Sequence, residues 1–293
     1  MIINGESDSP ELIEGSDPCP SGHGPCSFAK AMTQATEALR RRRQEGIWLK
    51  KNKQMKTIGL IGGLTWHSSI DYYRMLNELV NDRMGGVQAG KIILYSVNFA
   101  EIKVLTEEGR WDEIAKMICD VAKKLEQAGA DCILIGANTM HKIADEIRQA
   151  ITIPVIHVAE VTATQIKKQQ LKTVGLLGTK YTMQMHFFKD KLAAQGITTI
   201  IPDEDGIEMI NTAIYTEMGR GIFLPATKQK FLAIIDKLIG QGAEAIILGC
   251  TEIPLLIKQD DCSVPVFDTT KIHSIAAVEF ALNNTAILAH NYI

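Results

Sequence analysis

From Met55 onward, short runs of unbroken apolar residues alternate with longer stretches whose apolar positions recur every three or four residues. "MKTIGLIGGLT" is a short strand reaching a glycine turn, and "CILIG" and "AIILG" are continuous apolar strands of the kind buried on both faces. "SSIDYYRMLNELVNDRM" predicts a helix with Ile70, Tyr73, Leu76, Leu79 and Val80 on one face and Ser68 or Ser69 as its cap. "WDEIAKMICDVAKKLEQAGA" predicts another, with Ile114, Ile118, Val121 and Leu125 inward and Gly129 ending it; "FLAIIDKLIGQGAEA" holds the same place farther on. Strand followed by helix, repeated, implies an α/β protein of parallel sheets covered on both faces, with ligands bound beyond the carboxyl ends of the strands.

The chain also repeats itself. "KTIGLIGGLT" returns as "KTVGLLGTKYT", with Gly59 matching Gly175; "GADCILIGANTM" returns as "GAEAIILGCTEI", with Ala137 matching Cys250; "IPVIHVAE" returns as "VPVFDTTK", with Pro154 matching Pro265. Three pairs in one order at nearly one spacing mark a duplicated half. The expectation is two pseudo-symmetric lobes, each a short parallel sheet flanked by helices, with an active site in the cleft between them. Residues 55–158 with 271–293 form the first lobe and 159–270 the second, and the helix "SIAAVEFALNN" returns to pack on the first. Residues 137 and 250 then sit at equivalent strand tips and flank one cleft.

Composition narrows the picture. The 293 residues are 46% hydrophobic and 22% charged with a net charge of −3, which gives no basic field for nucleic acid. No apolar run approaches the roughly 20 residues that span a bilayer, and the polar start has no secretory pattern, so a cytoplasmic protein is expected. Residues 1–54 differ in texture: "DPCPSGHGPC" is turn chemistry and "ALRRRRQEGIWLKKNKQ" a basic run, together read as a solvated, disordered extension, with Met55 a boundary or alternative start. The six cysteines show no metal-site pairing, which suits a reducing compartment and argues against a structural zinc.

Cys250 stands apart from Cys119 and Cys132, which read as small buried hydrophobes. Gly249 and Thr251 bracket it at a predicted strand tip before a helix whose first turn holds Pro254. Free N–H groups at such an end favour a thiolate, so Cys250 is expected to have a lowered pKa and to act as a base. In the first half "NTMHKIADEI" follows the tip, with Met140, Ile143 and Ile147 toward the core.

Six stretches in order, "GLIGGLTWHSSIDYYR", "SVNF", "GANTMHK", "LLGTKYTM", "LGCTEIPLL" and "PVFDTTKIH", resemble the aspartate/glutamate racemase family, amino-acid racemases that work without pyridoxal phosphate. "GCTE" looks like its aspartate branch. The resemblance implies two thiols on opposite faces of the substrate, one removing the α-proton and one returning it. On this chain the second maps to Cys250 and the first to Ala137, whose methyl carries no proton. Explanations left open are that Thr139, His141 or a water serves as second acid, that activity is weak or one-directional, that the protein only binds an amino acid, or that the residue was replaced by design.

The resemblance further implies substrate contacts from Asn138, Thr139, Thr251 and Glu252, a wall at Gly62, Gly63 and Leu64, and contacts from Thr179, Thr106 and Glu217. Helix capping is an equal reading for the threonines. Lys180, ahead of Arg220 or Lys271, is the cation expected for an acidic substrate. His141 and His273 read first as structural residues. The glycine turns are not a dinucleotide motif, so neither cofactor nor metal is expected, and a homodimer is implied by resemblance alone. The alternatives are a one-cysteine decarboxylase of substituted malonates and a non-catalytic amino-acid binder.

Overall fold

Two four-stranded sheets, every strand parallel to its neighbours, are present among the described residues, 55–282, of the computed structural model. The expectations for residues 1–54 and 283–293 lie outside them. The first sheet holds β1 (Ile58–Gly62), β2 (Ile92–Ser96), β3 (Cys132–Ile135) and β4 (Val155–Ile156) in the order β2-β1-β3-β4. The second holds β5 (Thr173–Gly178), β6 (Thr198–Ile200), β7 (Ala245–Gly249) and β8 (Val266–Asp268) in the order β6-β5-β7-β8. Each strand thus has its counterpart four places on, as the repeats require. Gly59 pairs with Ile93 and Ile133, and Gly175 with Ile200 and Ile246. A methyl on Gly59 would lie 2.9 Å from the Ala130 Cβ, and one on Gly175 2.7 Å from the Ile246 Cδ1, so both central strands need glycine for the same close packing.

Helices α1 (Trp66–Met84), α2 (Phe99–Glu107), α3 (Trp111–Gln127), α4 (Ala144–Ala150) and α5 (Val158–Lys168) accompany the first four strands. Then come α6 (Lys180–Gln184), α7 (His186–Ala193), α8 (Glu204–Thr216), α9 (Pro225–Gly240), α10 (Ile253–Leu256) and α11 (Thr269–Leu282). In α3 the predicted stripe Ile114, Ile118, Val121 and Leu125 is buried, and Gly129 follows at φ +94°. Met140, Ile143 and Ile147 are buried as well, although the turn after β3 is a 3₁₀ helix over Thr139–Ile143 before α4 begins.

Helix α1 departs from its prediction. Ile70 and Tyr73 are both 54% exposed, and the buried stripe is Tyr72, Leu76 and Val80. Its cap is Thr65, which accepts from the Ser68 N–H at 3.3 Å, while Ser69 Oγ accepts from the Gly63 N–H at 2.7 Å. Because Ser68 and Ser69 turn inward to serve the strand tips, the helix is rotated and its more apolar-looking positions face out. Helix α11 starts beside the second sheet and packs on the first, where Ala277, Val278 and Ala281 join Leu60, Tyr72, Leu76 and Leu134 in one core. The Lys56 N–H donates to the Ala281 carbonyl at 3.0 Å, fastening the two ends of the described chain.

Candidate active site

The carboxyl ends of the central strands of both sheets open onto one cavity of about 490 Å³, a size common for small-molecule sites. Gly63, Leu64, Ala137, Asn138 and Thr139 line it from the first half, and Thr179, Lys180, Cys250, Thr251 and Glu252 from the second. The strand tips at 137 and 250 therefore meet in the same space.

At the second tip, the Cys250 thiol donates to Glu252 Oε2 at 2.8 Å, and the Thr251 hydroxyl donates to that same oxygen at 2.7 Å. The other carboxylate oxygen accepts from Thr65 Oγ1 at 3.2 Å and from Ser68 Oγ at 3.3 Å, so donors from α1 and its cap hold a carboxylate of the opposite half. Ser68 Oγ also lies 2.8 Å from Thr251 Oγ1. The thiol pKa is pushed up, against the sequence expectation. Burial is the main cause, followed by the Glu252 charge and the hydrogen bond that favours S–H. The backbone N–H groups of Thr251 and Glu252 act in the predicted direction but are outweighed, because α10 is only Ile253–Leu256 and a carboxylate sits nearer than any helix end. Cys132, in mid-strand, is pushed to about 12 by burial, as an inert core thiol should be.

The other predicted residues divide clearly. Thr106 lines the cavity but gives its hydroxyl hydrogen to the Ile102 carbonyl at 2.7 Å. Thr179 combines both roles weighed for it, capping α6 by accepting from the Thr182 N–H at 3.3 Å and meeting Thr139 Oγ1 at 2.9 Å across the cleft. Asn138 Nδ2 donates to Thr269 Oγ1 at 3.1 Å. Glu217 is a correction: it lies outside the cavity, just past α8, and its carboxylate accepts from Thr227 at 2.5 Å beside a separate acidic depression. The helix end that turns Ile214 and Tyr215 into the cavity carries residue 217 away from it. Lys180 lines the cavity, whereas Arg220 and Lys271 do not. His141 does not line it either, and its Nδ1 meets the Ala137 carbonyl at 3.1 Å.

Thr65, Ser68, Asn211 and Tyr215 were not anticipated as site residues. Thr65 and Ser68 carried the one usable signal, a hydroxyl pair between a glycine turn and a periodic run. Asn211 accepts from the Lys180 N–H at 3.0 Å, which anchors the start of α6. Burial, then the nearby Cys250, raises the Tyr215 phenol above its ordinary range and keeps it a donor. Among the described residues no three His, Cys, Asp or Glu side chains converge as metal ligands, and no helix is long and apolar enough to cross a membrane.

The chain is thus an α/β protein of two matching parallel-sheet lobes that bring a buried thiol–carboxylate pair to a shared cavity. Residues 61–277 match the Asp/Glu/Hydantoin racemase family, and the chain belongs to it. Among solved structures, a candidate Asp/Glu racemase of Yersinia pestis is 46% identical with a TM-score of 0.74, covering 78% of this chain and 100% of that one. An aspartate racemase homologue of Pyrococcus horikoshii is 35% identical with a TM-score of 0.70 over the same shares. A broad-specificity amino-acid racemase of Bacillus subtilis is 31% identical over 162 residues, 54% of this chain and 68% of that protein.

Proposed function

We propose that the protein exchanges and inverts the α-hydrogen of an acidic amino acid, aspartate or glutamate, without a cofactor, with Cys250 as the reacting thiol. The carrying observation is the Cys250–Glu252 pair in the same cavity as Ala137. Glu252 Oε2 takes the thiol proton; the thiolate sulfur then takes the α-proton, and the electron pair stays on the α-carbon, spread into the substrate carboxylate. A proton returned by the same sulfur restores the starting hand. Inversion needs one delivered to the opposite face, where Ala137 has none to give and the Thr139 hydroxyl or a water must serve. Exchange needs only that the hydrogen held by sulfur trade with solvent water before its return, so it outruns inversion.

Substrate acidity is supported by the names of the Yersinia and Pyrococcus relatives and by Lys180, which lines the cavity and forms no ion pair among the described residues. Lys103, the other lining lysine, is paired with Glu107 at 2.6 Å. The test is incubation of each enantiomer of aspartate and glutamate in deuterium oxide, read by proton NMR and chiral chromatography. Loss of the α-hydrogen signal faster than appearance of the antipode, and abolished by Cys250→Ser, is expected. No exchange with any amino acid removes the proposal, and carbon dioxide release from a substituted malonate would put a decarboxylase in its place.

A further inference from the structure

Three histidines, each no more than 2% exposed, meet edge to face beside the first strand tip without lining the cavity. The His141 ring centroid lies 4.7 Å from that of His157 and 5.3 Å from that of His273. Their hydrogen bonds fix where the protons sit. His273 Nε2 faces the Ile156 carbonyl at 2.6 Å, and a carbonyl only accepts, so that nitrogen carries the hydrogen; its Nδ1 accepts from the Tyr72 hydroxyl at 2.9 Å. By the same reasoning His141 Nδ1 carries the hydrogen given to the Ala137 carbonyl at 3.1 Å. Burial, reinforced for His141 by the other two rings, lowers the pKa of the imidazoles and keeps them neutral. His141 Nε2 then has no partner at hydrogen-bond distance among the described residues, although the Ile156 carbonyl is near enough to act on the ring.

A ring kept only to fill space would be cheaper as carbon, because an unmet buried acceptor carries a desolvation penalty that a hydrocarbon ring does not. Among the hydrogen bonds of the imidazole, the one that reaches the site is to the carbonyl of residue 137. The next residue is held from another side: Asn138 Nδ2 donates to Thr269 Oγ1, and that hydroxyl donates to the Leu248 carbonyl at 2.8 Å, on the strand that delivers Cys250. Tilting the carbonyl of residue 137 would turn Asn138 against this tie and alter how the two tips face each other.

We propose that His141 is a positioning residue, whose Nδ1–H holds the Ala137 carbonyl and so sets the first tip against the Cys250 tip, with His157, His273 and Tyr72 packing it in place. It acts from behind the site and supplies no proton to the substrate. The kinetic part of this inference rests on the racemase reading; the hydrogen bond does not.

The test uses the full chain, labelled with nitrogen-15, with His141→Asn and His141→Phe. Asparagine puts an amide nitrogen where Nδ1 stands, whereas phenylalanine keeps the ring and loses the donor. Wild type should show a neutral His141 with hydrogen on Nδ1, and the Asn138 side-chain amide resonance should move in His141→Phe and stay in His141→Asn. Exchange turnover should fall roughly 10- to 100-fold in His141→Phe with KM changed less than about threefold, and stay within about threefold in His141→Asn. Hydrogen on Nε2 in wild type, undiminished turnover in His141→Phe, or equal slowing in both variants overturns the inference. If wild type exchanges no amino acid, the racemase reading falls alone and the Asn138 resonance decides this one.

Discussion

Cys250 and Glu252, two residues apart, turn their side chains onto each other, thiol to carboxylate at 2.8 Å, inside the cavity that also receives Ala137. Burial first, and then this contact, favour a protonated thiol at rest. A thiolate would have to share burial with a carboxylate charge held by Thr65, Ser68 and Thr251. In the proposed reaction the pair holds one proton at either of two positions, and the step at the α-carbon requires moving that proton from sulfur to oxygen.

Glu252→Gln removes the charge and the strong acceptor but leaves burial almost unchanged. Two of the three causes that raise the thiol pKa vanish, so the pH at which Cys250 becomes alkylated by iodoacetamide should move down, as followed by site-resolved mass spectrometry. Exchange should nevertheless slow by roughly 10²–10⁴-fold, the usual worth of a positioned acid/base group, because the oxygen that accepts the thiol proton is gone. An unmoved or raised onset of alkylation would show that the carboxylate does not govern the sulfur.

Ala137→Cys places an ionisable hydrogen at the first strand tip, on the face that the proposed inversion leaves without one. Residue 137 is half-buried and lines the cavity, so a longer side chain has room to enter it. Formation of the antipode should rise on the order of 10²-fold or more, while exchange on the Cys250 face changes little. Chiral chromatography of timed samples checks the ratio; parallel rise of both rates, or of neither, would count against the missing acid as the limit on inversion.

How much of this was legible depended on where polar groups point. Helix α3 could be read from periodicity because its inward face is purely apolar. Helix α1 could not, since Ser68 and Ser69 are spent on the cleft and on Gly63, and a hydroxyl turned inward looks like a solvent-facing residue in sequence. The repeats exposed the equivalence of β1 with β5, β3 with β7 and β4 with β8, all held by glycine, proline or buried aliphatic residues. Strands β2 and β6, which bury no residue fully, left no such trace, whereas β4 and β8 at the opposite edges are marked by Pro154 and Pro265. Glu217 was misplaced because a helix end decides its direction, and the elevated thiol because Glu252 reads as a substrate contact until its rotamer is known.

The buried histidines make stability depend on acid. A group whose pKa is lowered by folding stabilises the fold fully above its unfolded value and loses that contribution as pH falls toward the folded one. His273 is lowered by burial from 6.5 to about 4, and burial lowers His141 and His157 well below the same value. Above pH 6.5 all three cost nothing; below it the unfolded chain takes up protons that the folded chain refuses. His273 alone is worth roughly 3 kcal/mol across that window. Melting temperature measured from pH 7 to pH 4.5 should fall steadily and begin to fall near 6.5, above the range of ordinary carboxylates. A flat profile down to pH 5 would mean that the rings are hydrated or charged in the folded protein.

Lys180 and Lys103 both reach the cavity, and their surroundings assign them different work. Lys103 Nζ is engaged by Glu107 one turn on, whereas Lys180 Nζ stands 5.3 Å from the Tyr181 ring centroid, at the start of a helix whose first N–H is anchored by Asn211. A cation with no carboxylate partner among the described residues, beside a small-molecule cavity, is the one that gains most from a substrate's distal carboxylate. A hydrogen bond to a charged group is worth about 1.5–3 kcal/mol, so Lys180→Met should raise KM for aspartate or glutamate about 10- to 100-fold. Turnover should change far less, since the distal carboxylate is the same in ground and transition states. Lys103→Met breaks only an exposed pair and should have the smaller effect on KM. The comparison is made with alanine as a third substrate, which has no distal carboxylate: its KM should not respond to Lys180→Met, and a similar rise for all three would move Lys180 from side-chain recognition to the general electrostatics of the cleft.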